Sequence, residues 1–437
     1  MTTIYRILIL GDFSGRARAV DRTVSTRRVD RDDLDDAIKA IGPELALSLD
    51  ASLPATMKFA ELEDFHPDRL LGRVPLLVSL RELRDARPSS DRPRETIAPS
   101  SRTDAAALSL GSGSLLDRIM EGEPDAGGTA VRGIAPQDEL SDFLRRAVTP
   151  HLANEPSVEQ RERAAKVDEL TVATLRVLMH HPKFQALESL WRGVDMLTRR
   201  LDTDEHLQIH IADVSPGALG SLDPASVVGW SLVVADVALG VEDLPVIRHI
   251  AELASSTRTP WVAAARPDLG GAASFGDGSD VDDWDDQPVA AWDEFRRSPA
   301  ARWLCLTTPR ILLRVPYGRA SDPCTSLPFE EQDPNAPSHE SYLWGNGAFA
   351  AALLLGEAAA NDDAPATQGT ISGLPLHVAK IDGEPTAVPC AEALITQRSM
   401  THLLDRGLTP LVSERDGDSV RVPRLQSVAT PALPLGG

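Results

Sequence analysis

Residues 180–194 read HHPKFQALESLWRGV, and apolar residues recur at helical spacing on both sides of His181 and Pro182. Pro182 has no backbone N–H and its ring clashes with the preceding turn, so it interrupts a helix. The apolar positions are Val167, Leu170, Thr174, Val177 and Leu178 before the break, and Phe184, Leu187, Trp191, Val194, Leu197 and Leu201 after it. Spacings of three and four residues predict an amphipathic helix on each side, and therefore a long helical arm broken at His181-Pro182.

Composition and charge exclude several classes of protein. The chain has 437 residues, enough for two or three domains, and a formal net charge of -21. That charge repels phosphates, so we expect neither nucleic acid nor an anionic membrane as a partner. Cys305, Cys324 and Cys390 are far apart and odd in number, which predicts neither a disulfide framework nor a cysteine metal site. With no signal-peptide layout at residues 1–6 and no apolar run of ~20 residues, we expect a cytoplasmic protein.

The first part of the chain predicts a compact unit of strands with helices between them. Residues 4–10 form an apolar run typical of a buried strand, and residues 11–16 (GDFSGR) form a turn without a phosphate-binding pattern. Further strands are predicted around residues 45–49 and 57–62, and helices around residues 34–41, 70–74 and 76–84. Asp64 is expected to cap the second of these helices, and His66 to cap or buttress the turn that includes Pro67.

The later part of the chain predicts a largely parallel or mixed sheet. Residues 207–211 alternate as a strand, and residues 231–238 and 261–265 are continuous apolar runs, with a helix at residues 244–253 between them. Residues 270–287 are rich in Gly and Asp. They include Asp277, Asp280, Asp282, Asp283, Asp285 and Asp286. The ligand order of a calcium loop is absent, so a solvated acidic loop is the simpler interpretation.

Catalytic motifs do not stand out from this sequence. His180 and His181 are adjacent, about 100° apart around a helix, and cannot bind one metal ion from one face. Neither a G-x-S-x-G elbow nor an H-E-x-x-H motif occurs. We therefore expect no enzyme, no metal and no cofactor. A small-ligand-binding α/β module is the alternative of another class, because such sheets often bind ligands at their strand ends.

The stretch HHPKFQALESLWRGVDML resembles the HHPEFQxLExxWRGLxxL signature of the large subunit (TssC/VipB) of type VI secretion sheaths. RWLCLTTPRILLRVPYG, FEE, SYLWGNGAFAAALLL and the region from GLPLHVAKIDGEP to VRVPRLQSV also resemble that subunit, in the family's order. The positions carried over as structural motif residues are His181, Pro182, Phe184, Trp191, Arg192, Gly193, Pro309, Arg310, Pro316, Tyr317, Gly318, Trp344, Gly345 and Asn346.

Residues 4–83 resemble the small sheath subunit (TssB/VipA). GDFSGR, VDRDDLDDAIKAIGPELAL and FAELEDFHPDRLLGRVPLL match in order, and the carried-over motif residues are Asp12, Gly15, Asp64, His66 and Pro67. The fold class predicted is α/β of mixed α+β character: a small-subunit-like domain at 1–88, a linker at 89–137, and at 138–437 a large-subunit-like mixed-sheet domain with the helical arm.

The linker contains SLLDRIM, residues 114–120, which predicts a short helix at 114–121. Its apolar side carries Leu115, Leu116, Ile119 and Met120. The segment resembles the part of the large subunit that an AAA+ unfoldase (ClpV-like) engages. The alternative is that this helix packs on its own chain, because so short a helix is marginal alone.

The resemblance implies a structural component of a bacterial contractile sheath. Such sheaths assemble from both subunits around a tube of Hcp-like rings on a baseplate, contract, and are disassembled by the unfoldase. In the family, extended terminal strands tie neighbouring subunits together. Only three residues precede the first strand here, and the last nine include two prolines and two glycines. We therefore expect shortened arms, and a monomer or small oligomer when the chain is alone. A sheath-derived terminal, baseplate-proximal or adaptor protein is the alternative within this class.

Overall fold

The structure is a computed structural model that describes residues 4–17, 24–50, 53–85, 158–275, 284, 289–332, 338–381, 384–415 and 417–435. Residues 1–84 and 166–437 form one compact unit, and residues 85–165 form a second. Of the second unit the structure describes Asp85 and residues 158–165, which are helical. The helices of the described residues are α1 (Leu34–Ile41), α2 (Pro67–Arg73), α3 (Pro75–Asp85), α4 (Val158–Met179), α5 (Pro182–Arg200), α6 (Leu244–Thr257), α7 (Ala290–Arg296), α8 (Ala348–Ala360) and α9 (Gln397–Asp405).

Strands from both ends of the chain are interleaved with these helices. They are β1 (Tyr5–Gly11), β2 (Thr26–Val29), β3 (Glu44–Asp50), β4 (Leu53–Lys58), β5 (Leu207–Asp213), β6 (Leu232–Leu239), β7 (Trp261–Ala265), β8 (Leu304–Thr308), β9 (Ile311–Arg314), β10 (Leu343–Gly345), β11 (Gly369–Ile371), β12 (His377–Ile381), β13 (Glu384–Val388), β14 (Thr409–Pro410), β15 (Val412–Ser413) and β16 (Val420–Val422). The predicted α/β fold class is confirmed.

One seven-stranded sheet, in the order β14-β8-β7-β6-β1-β5-β2, organises the first unit. Its pairs are parallel except that β2 runs antiparallel to β5. Strand β1 lies inside it, with Ile7 opposite Ile209 on β5 and opposite Leu232 on β6. The sequence predicted a compact N-terminal unit of strands. Instead β1 and β2 join a sheet whose other strands come from residues 207–410, and among the described strands β3 and β4 pair with each other alone.

The two faces of the sheet bury separate apolar cores, because successive side chains of a strand point to opposite faces. Ile7 and Ile9 belong to the core that also contains apolar residues of α5, α8 and the N-terminal helices. Leu8 and Leu10 belong to the core that contains apolar residues of α6 and α7. Residues 7–10 are each at most 1% exposed, as expected for an apolar run buried on both sides.

The helical arm breaks where the sequence predicted. Helix α4 ends at Met179 and α5 begins at Pro182, the first-turn position where proline costs least. All six apolar positions predicted after the break are buried. Of the positions predicted before the break, Val167 and Leu178 are buried, but Val177 is 53% exposed. Thr171 and Leu175, which were not predicted, are buried on that side of the helix instead. Thr171 can be buried because its hydroxyl donates to the carbonyl of Val167 at 2.7 Å.

Gly193 lies where α5 meets α8. A Cβ atom on Gly193 would lie within 2.7 Å of three atoms of the Phe349 ring, closer than real side chains pack. Gly72, in α2, is also helical, and a Cβ atom there would meet nothing within 4 Å.

We expect Gly193→Ala to lower the free energy of unfolding by about 1–3 kcal/mol, because Phe349 must leave its packed position. Gly72→Ala is the matched control and should raise that free energy by about 0.4–1 kcal/mol, since alanine restricts the unfolded chain. Denaturant titrations of both variants provide the measurement. Equal effects of the two substitutions would contradict the close packing of α5 on α8.

Candidate functional site: a buried ion network

A cluster of buried charged side chains joins α5 to the segment that follows β9. The Arg314 guanidinium donates to Glu188 of α5 at 2.7 and 3.1 Å, and to Glu331 at 2.6 and 2.9 Å. Arg314 is 8% exposed, Glu188 0% and Glu331 1%. The arginine therefore bridges two carboxylates out of contact with solvent.

Arg192 and Tyr317 complete this network. Arg192 donates to Glu188 at 2.8 Å and to the Tyr317 hydroxyl at 2.8 Å. The backbone N–H of Tyr317 donates to Glu331 at 2.8 Å, and the Arg314 guanidinium lies 4.3 Å from the centroid of the Tyr317 ring. Two arginines and two glutamates balance in charge, which is the condition under which buried ions are tolerated.

The pairing fixes the charge state of the network. Burial alone would raise the pKa of Glu188, but Arg314 and Arg192 outweigh it and hold that pKa below its ordinary value. Burial would likewise lower the pKa of Arg314, whereas Glu188 and Glu331 hold it well above the ordinary value. Burial raises the pKa of Tyr317 to about 12. At neutral pH Glu188 and Arg314 therefore stay ionised and Tyr317 stays neutral, so the arrangement is suited to holding segments in place rather than to exchanging protons.

The N-terminal segment enters the same network through the first turn of α2. The His66 ring packs edge-on against the Tyr317 ring, with 4.8 Å between centroids. Asp68 accepts hydrogen bonds from the Cys324 thiol at 2.9 Å, from the N–H and hydroxyl of Thr325 at 2.8 Å each, and from the N–H of Ser326 at 2.9 Å. Burial would raise the pKa of Asp68, but these donors hold it well below its ordinary value.

The dipeptide His-Pro occurs twice with one local geometry. The imidazole Nδ1 of His66 accepts from the N–H of Asp68 at 3.2 Å, and that of His181 accepts from the N–H of Lys183 at 3.2 Å. In each case the histidine is the N-cap of the helix that begins at the proline, α2 at Pro67 and α5 at Pro182. The prediction that Asp64 caps α2 was therefore wrong. His66, which was expected to cap or buttress the turn that includes Pro67, is itself the N-cap of α2.

Asp64 instead stabilises the turn before α2. Its carboxylate accepts from the N–H of Ala60 at 2.7 Å and pairs with Arg73. Asp12 closes the turn after β1 by accepting from the N–H of Ala17 at 3.0 Å. Gly15 in that turn has a φ of +67°, and a Cβ there would lie 2.8 Å from Leu45.

Aromatic residues of the predicted motif also connect α5 to the N-terminal segment. The Phe184 ring lies 5.6 Å from Phe65 and 6.1 Å from Phe59, and the Trp191 ring lies 4.8 Å from Phe13. Aromatic pairs at these spacings stabilise a core beyond simple area burial.

Other predicted motif residues hold the turns around β9 and β10. Arg310, after Pro309, pairs with Glu392 through contacts of 2.6 and 2.9 Å. The carbonyl of Pro316 accepts from the Ser321 hydroxyl at 2.5 Å, and Gly318 donates its N–H to the Asp322 carbonyl at 3.1 Å.

Around β10, the Trp344 indole donates to the His339 carbonyl at 3.0 Å, and Gly345 packs closely on Leu313. Asn346 donates to the Val237 carbonyl at 3.2 Å and accepts from the N–H of Ala348 at 2.8 Å. The predicted recognition residues Leu115, Leu116, Ile119 and Met120 lie outside the described residues.

Sequence reasoning did not single out Glu188, Arg314 and Glu331. The available signal was a charged residue within an apolar context, in ALESLW for Glu188 and ILLRVP for Arg314. Ionic residues are almost never fully buried unless paired, so such positions indicate partners elsewhere in the chain.

A separate cleft of about 560 Å³ lies at the carboxyl ends of β1 and β6. Asp12, Lys183 and Asp236 are among its lining residues. Burial raises the pKa of Asp236 to about 6, against an opposing hydrogen bond from Asn346. After β1 the chain continues to β2, at one edge of the sheet, and after β6 it continues to β7, towards the other edge. Open α/β sheets often bind ligands at such a point, where the connections run in opposite directions.

In the part of the chain that the structure describes, no helix is long and apolar enough to span a membrane.

Comparison with known families divides the chain between residues 88 and 161. The model for VipB (EvpB/VC_A0108, tail sheath N-terminal domain) matches residues 161–222 and 227–429, more than half of the chain. The model for T6SS_VipA (type VI secretion system, VipA, VC_A0107 or Hcp2) matches residues 4–88. His66 and Asp68 lie in the second match, and Glu188, Arg314 and Glu331 in the first.

Among characterised proteins, the chain is 27% identical over 304 residues to the type VI secretion system sheath protein TssC1 of Pseudomonas aeruginosa. The aligned region covers 61% of this chain and 61% of that relative.

We expect Arg314→Ala to lower the free energy of unfolding by about 3–5 kcal/mol, because buried Glu331 loses its arginine and buried Glu188 keeps one of its two, Arg192. Arg199→Ala is the matched control: Arg199 pairs with Asp195 on the exposed side of α5, the helix that carries Glu188, and its loss should cost below about 0.5 kcal/mol. Chemical denaturation measures both. A cost for Arg314→Ala as small as the control's would contradict a network closed to solvent.

We expect Asp236 to make stability depend on pH in a defined window. In the unfolded chain this carboxyl ionises near 3.8, and in the folded protein near 6. The folded state holds the proton more tightly than the unfolded chain does. The contribution of Asp236 to stability is therefore greatest below pH 3.8 and is lost as the pH rises through about 6. Asp236→Asn should therefore gain stability relative to the natural chain as pH rises across this range. The measurement is the free energy of unfolding of both proteins at several pH values. If the two curves run parallel, Asp236 ionises at its ordinary pH and the prediction is wrong.

Proposed function

Because the chain belongs to the VipB tail sheath family and also carries a VipA match, we propose that it is a single-chain sheath subunit of a type VI secretion system. The observation that carries the proposal is the position of β1. This strand comes from the VipA-matched residues and lies between β5 and β6, which come from the VipB-matched residues. The chain thus holds both kinds of sheath segment in one sheet.

Fusion has a physical consequence for assembly. Two separate subunits must meet by diffusion, whereas a linker of tens of residues holds them at an effective concentration of roughly millimolar. Each chain then enters an assembly as a complete sheath unit. Sheath function requires no reaction at this site, which agrees with a network that keeps its charges fixed.

The proposed partners follow from the family. We propose that the chain assembles with copies of itself or with other sheath subunits, around an Hcp-like tube and on a baseplate, in the bacterial cytoplasm. A ClpV-like AAA+ unfoldase is the proposed recycling partner, through the segment 114–121.

Negative-stain microscopy of the purified chain, with and without its Hcp-like tube protein, tests the proposal. Helical sheaths that enclose the tube are the expected result. Binding to baseplate components without tubes would instead support a terminal or adaptor role. A chain that binds neither tube nor baseplate would contradict a sheath function.

The cleft at β1 and β6 favours one candidate of another class, a module that binds a small polar ligand. A thermal-shift screen of metabolites discriminates between a sheath subunit and a ligand-binding module. Sheath function predicts no stabilising ligand, whereas a ligand module predicts a saturable shift that Asp236→Asn reduces.

We expect Leu116→Asp to abolish capture of the chain by the N-terminal domain of the unfoldase. The apolar side of a short helix binds through its buried contacts in a groove, and a carboxylate there must be desolvated. Arg118→Asp is the control, because it adds the same group to the polar side of the predicted helix. Undiminished capture by Leu116→Asp, measured in a pull-down with the melting temperature unchanged, would contradict this role.

A further inference from the structure

The cleft at the carboxyl ends of β1 and β6 has an apolar floor. Leu45 of β3 and Leu187 and Leu190 of α5 line it, and each is at most 3% exposed. A Cβ atom on Gly11 would lie 2.7 Å from Leu190 and 3.4 Å from the Cβ of Asp236, so these two residues lie side by side. With about 560 Å³ the cleft has the size of a small-molecule site.

Asp236 brings to this cleft a carboxyl group that has no cation beside it. Its side chain is hydrogen-bonded to the amide of Asn346. Burial raises its pKa to about 6, and no lysine or arginine among the described residues lies close enough to lower it again. An ammonium group of a ligand would supply the charge that the ionised carboxylate lacks.

Lys183 is the second charged residue of the cleft without a partner of opposite charge. Asp12 accepts from the N–H of Ala17 at 3.0 Å, and Arg16 pairs with Glu44 at 3.5 Å. Lys183 is exposed, and within the described part of the chain its ammonium group joins no ion pair. It lies in the first turn of α5, where the helix N-terminus also favours an anion.

The two unpaired charges lie at opposite ends of the apolar floor. Lys183, Leu187 and Leu190 share one face of α5, because they follow each other at spacings of four and three residues. Asp236 lies beside Leu190, and the seven residues from Lys183 to Leu190 span about 10 Å along the helix axis. A flexible lysine side chain can shorten that distance. This order of carboxylate, apolar floor and ammonium group fits a linear ligand that carries the opposite charges at its two ends.

We propose that this cleft binds a linear ω-amino acid group, with its ammonium group on Asp236, its aliphatic chain over Leu187 and Leu190, and its carboxylate on Lys183. A free ω-amino acid and the C-terminal lysine of a peptide both present this group. The inference rests on the second candidate function, the ligand-binding module, and adds a ligand that sheath assembly alone does not require.

Isothermal titration calorimetry with ε-aminocaproate, hexylamine and hexanoate tests each end of the site. The natural chain should bind ε-aminocaproate about threefold or more tightly than hexylamine, which has no carboxylate for Lys183. Asp236→Asn should weaken ε-aminocaproate binding about tenfold or more, because a bond to a charged group is lost. Hexanoate, which has no ammonium group for Asp236, should bind the natural chain more weakly than ε-aminocaproate does.

Lys183→Gln should remove the preference for ε-aminocaproate over hexylamine and leave hexylamine binding unchanged. Lys166→Gln is the matched control, because Lys166 is an exposed lysine of α4 that does not line the cleft, and it should bind like the natural chain. The melting temperature of each variant shows whether its fold is retained.

Two further measurements refine the assignment. Because the ammonium group pairs with the ionised form of Asp236, the affinity of the natural chain for ε-aminocaproate should fall as the pH is lowered through about 6. Asp236→Asn should lose that pH dependence. Nα-acetyl-lysine presents the group as a C-terminal lysine does: tighter binding than ε-aminocaproate assigns a peptide end, and weaker binding assigns a free amino acid.

The outcomes separate this inference from the proposed functions. If Asp236→Asn binds ε-aminocaproate as tightly as the natural chain, or if the natural chain prefers hexylamine, the inference is wrong. If another metabolite stabilises the chain through Asp236 while no ω-amino acid binds, the inference is wrong and the ligand-binding candidate stands. If no compound binds, both fail, and microscopy decides the sheath function independently.

Discussion

Hydrogen bonding of β1 on both of its edges is the constraint on which the rest of the structure depends. An interior strand of a parallel sheet cannot leave without exposing the ladders of two neighbours as well as its own side chains. Residues 7–10 are each at most 1% exposed. At roughly 1.5–3 kcal/mol for each buried aliphatic side chain, these four residues contribute about 6–12 kcal/mol. That amount is comparable with the whole net stability of a typical domain, so the N-terminal segment and residues 166–437 must fold together.

The ion network acts on geometry more than on net stability. A buried set of ion pairs gains little over an apolar core of equal volume, because each ion first loses its hydration. Once the apolar core has formed, however, Arg314 has only one position in which it satisfies both Glu188 and Glu331. His66 and Asp68 add the N-terminal segment to the same arrangement. Such fixed angles between α2, α5 and β9 keep the two family segments aligned in the proposed sheath subunit.

Local features of this fold could be predicted from the sequence, and non-local ones could not. The apolar run at residues 4–10 indicated a buried strand, and Pro182 indicated the break between α4 and α5. No periodicity shows that the partners of β1 begin about two hundred residues later, so the sequence predicted a compact N-terminal unit with its strands paired among themselves. Strand β2 was missed because an edge strand exposes Arg27 and Arg28, which resemble loop residues. Glu188 was missed for a related reason. A charged residue within an apolar helix face can be interpreted as a buried ion pair only when its partner, here Arg314, is known.

Separate expression of the two family segments tests the central claim most directly. Residues 1–85 and 158–437 would be produced in one cell from two genes and purified through a tag on the shorter piece. A shared fold predicts a 1:1 complex with one cooperative melting transition, and it predicts that residues 158–437 alone lack a stable tertiary structure. Residues 158–437 that fold alone, with the same cooperativity as the complex, would contradict it.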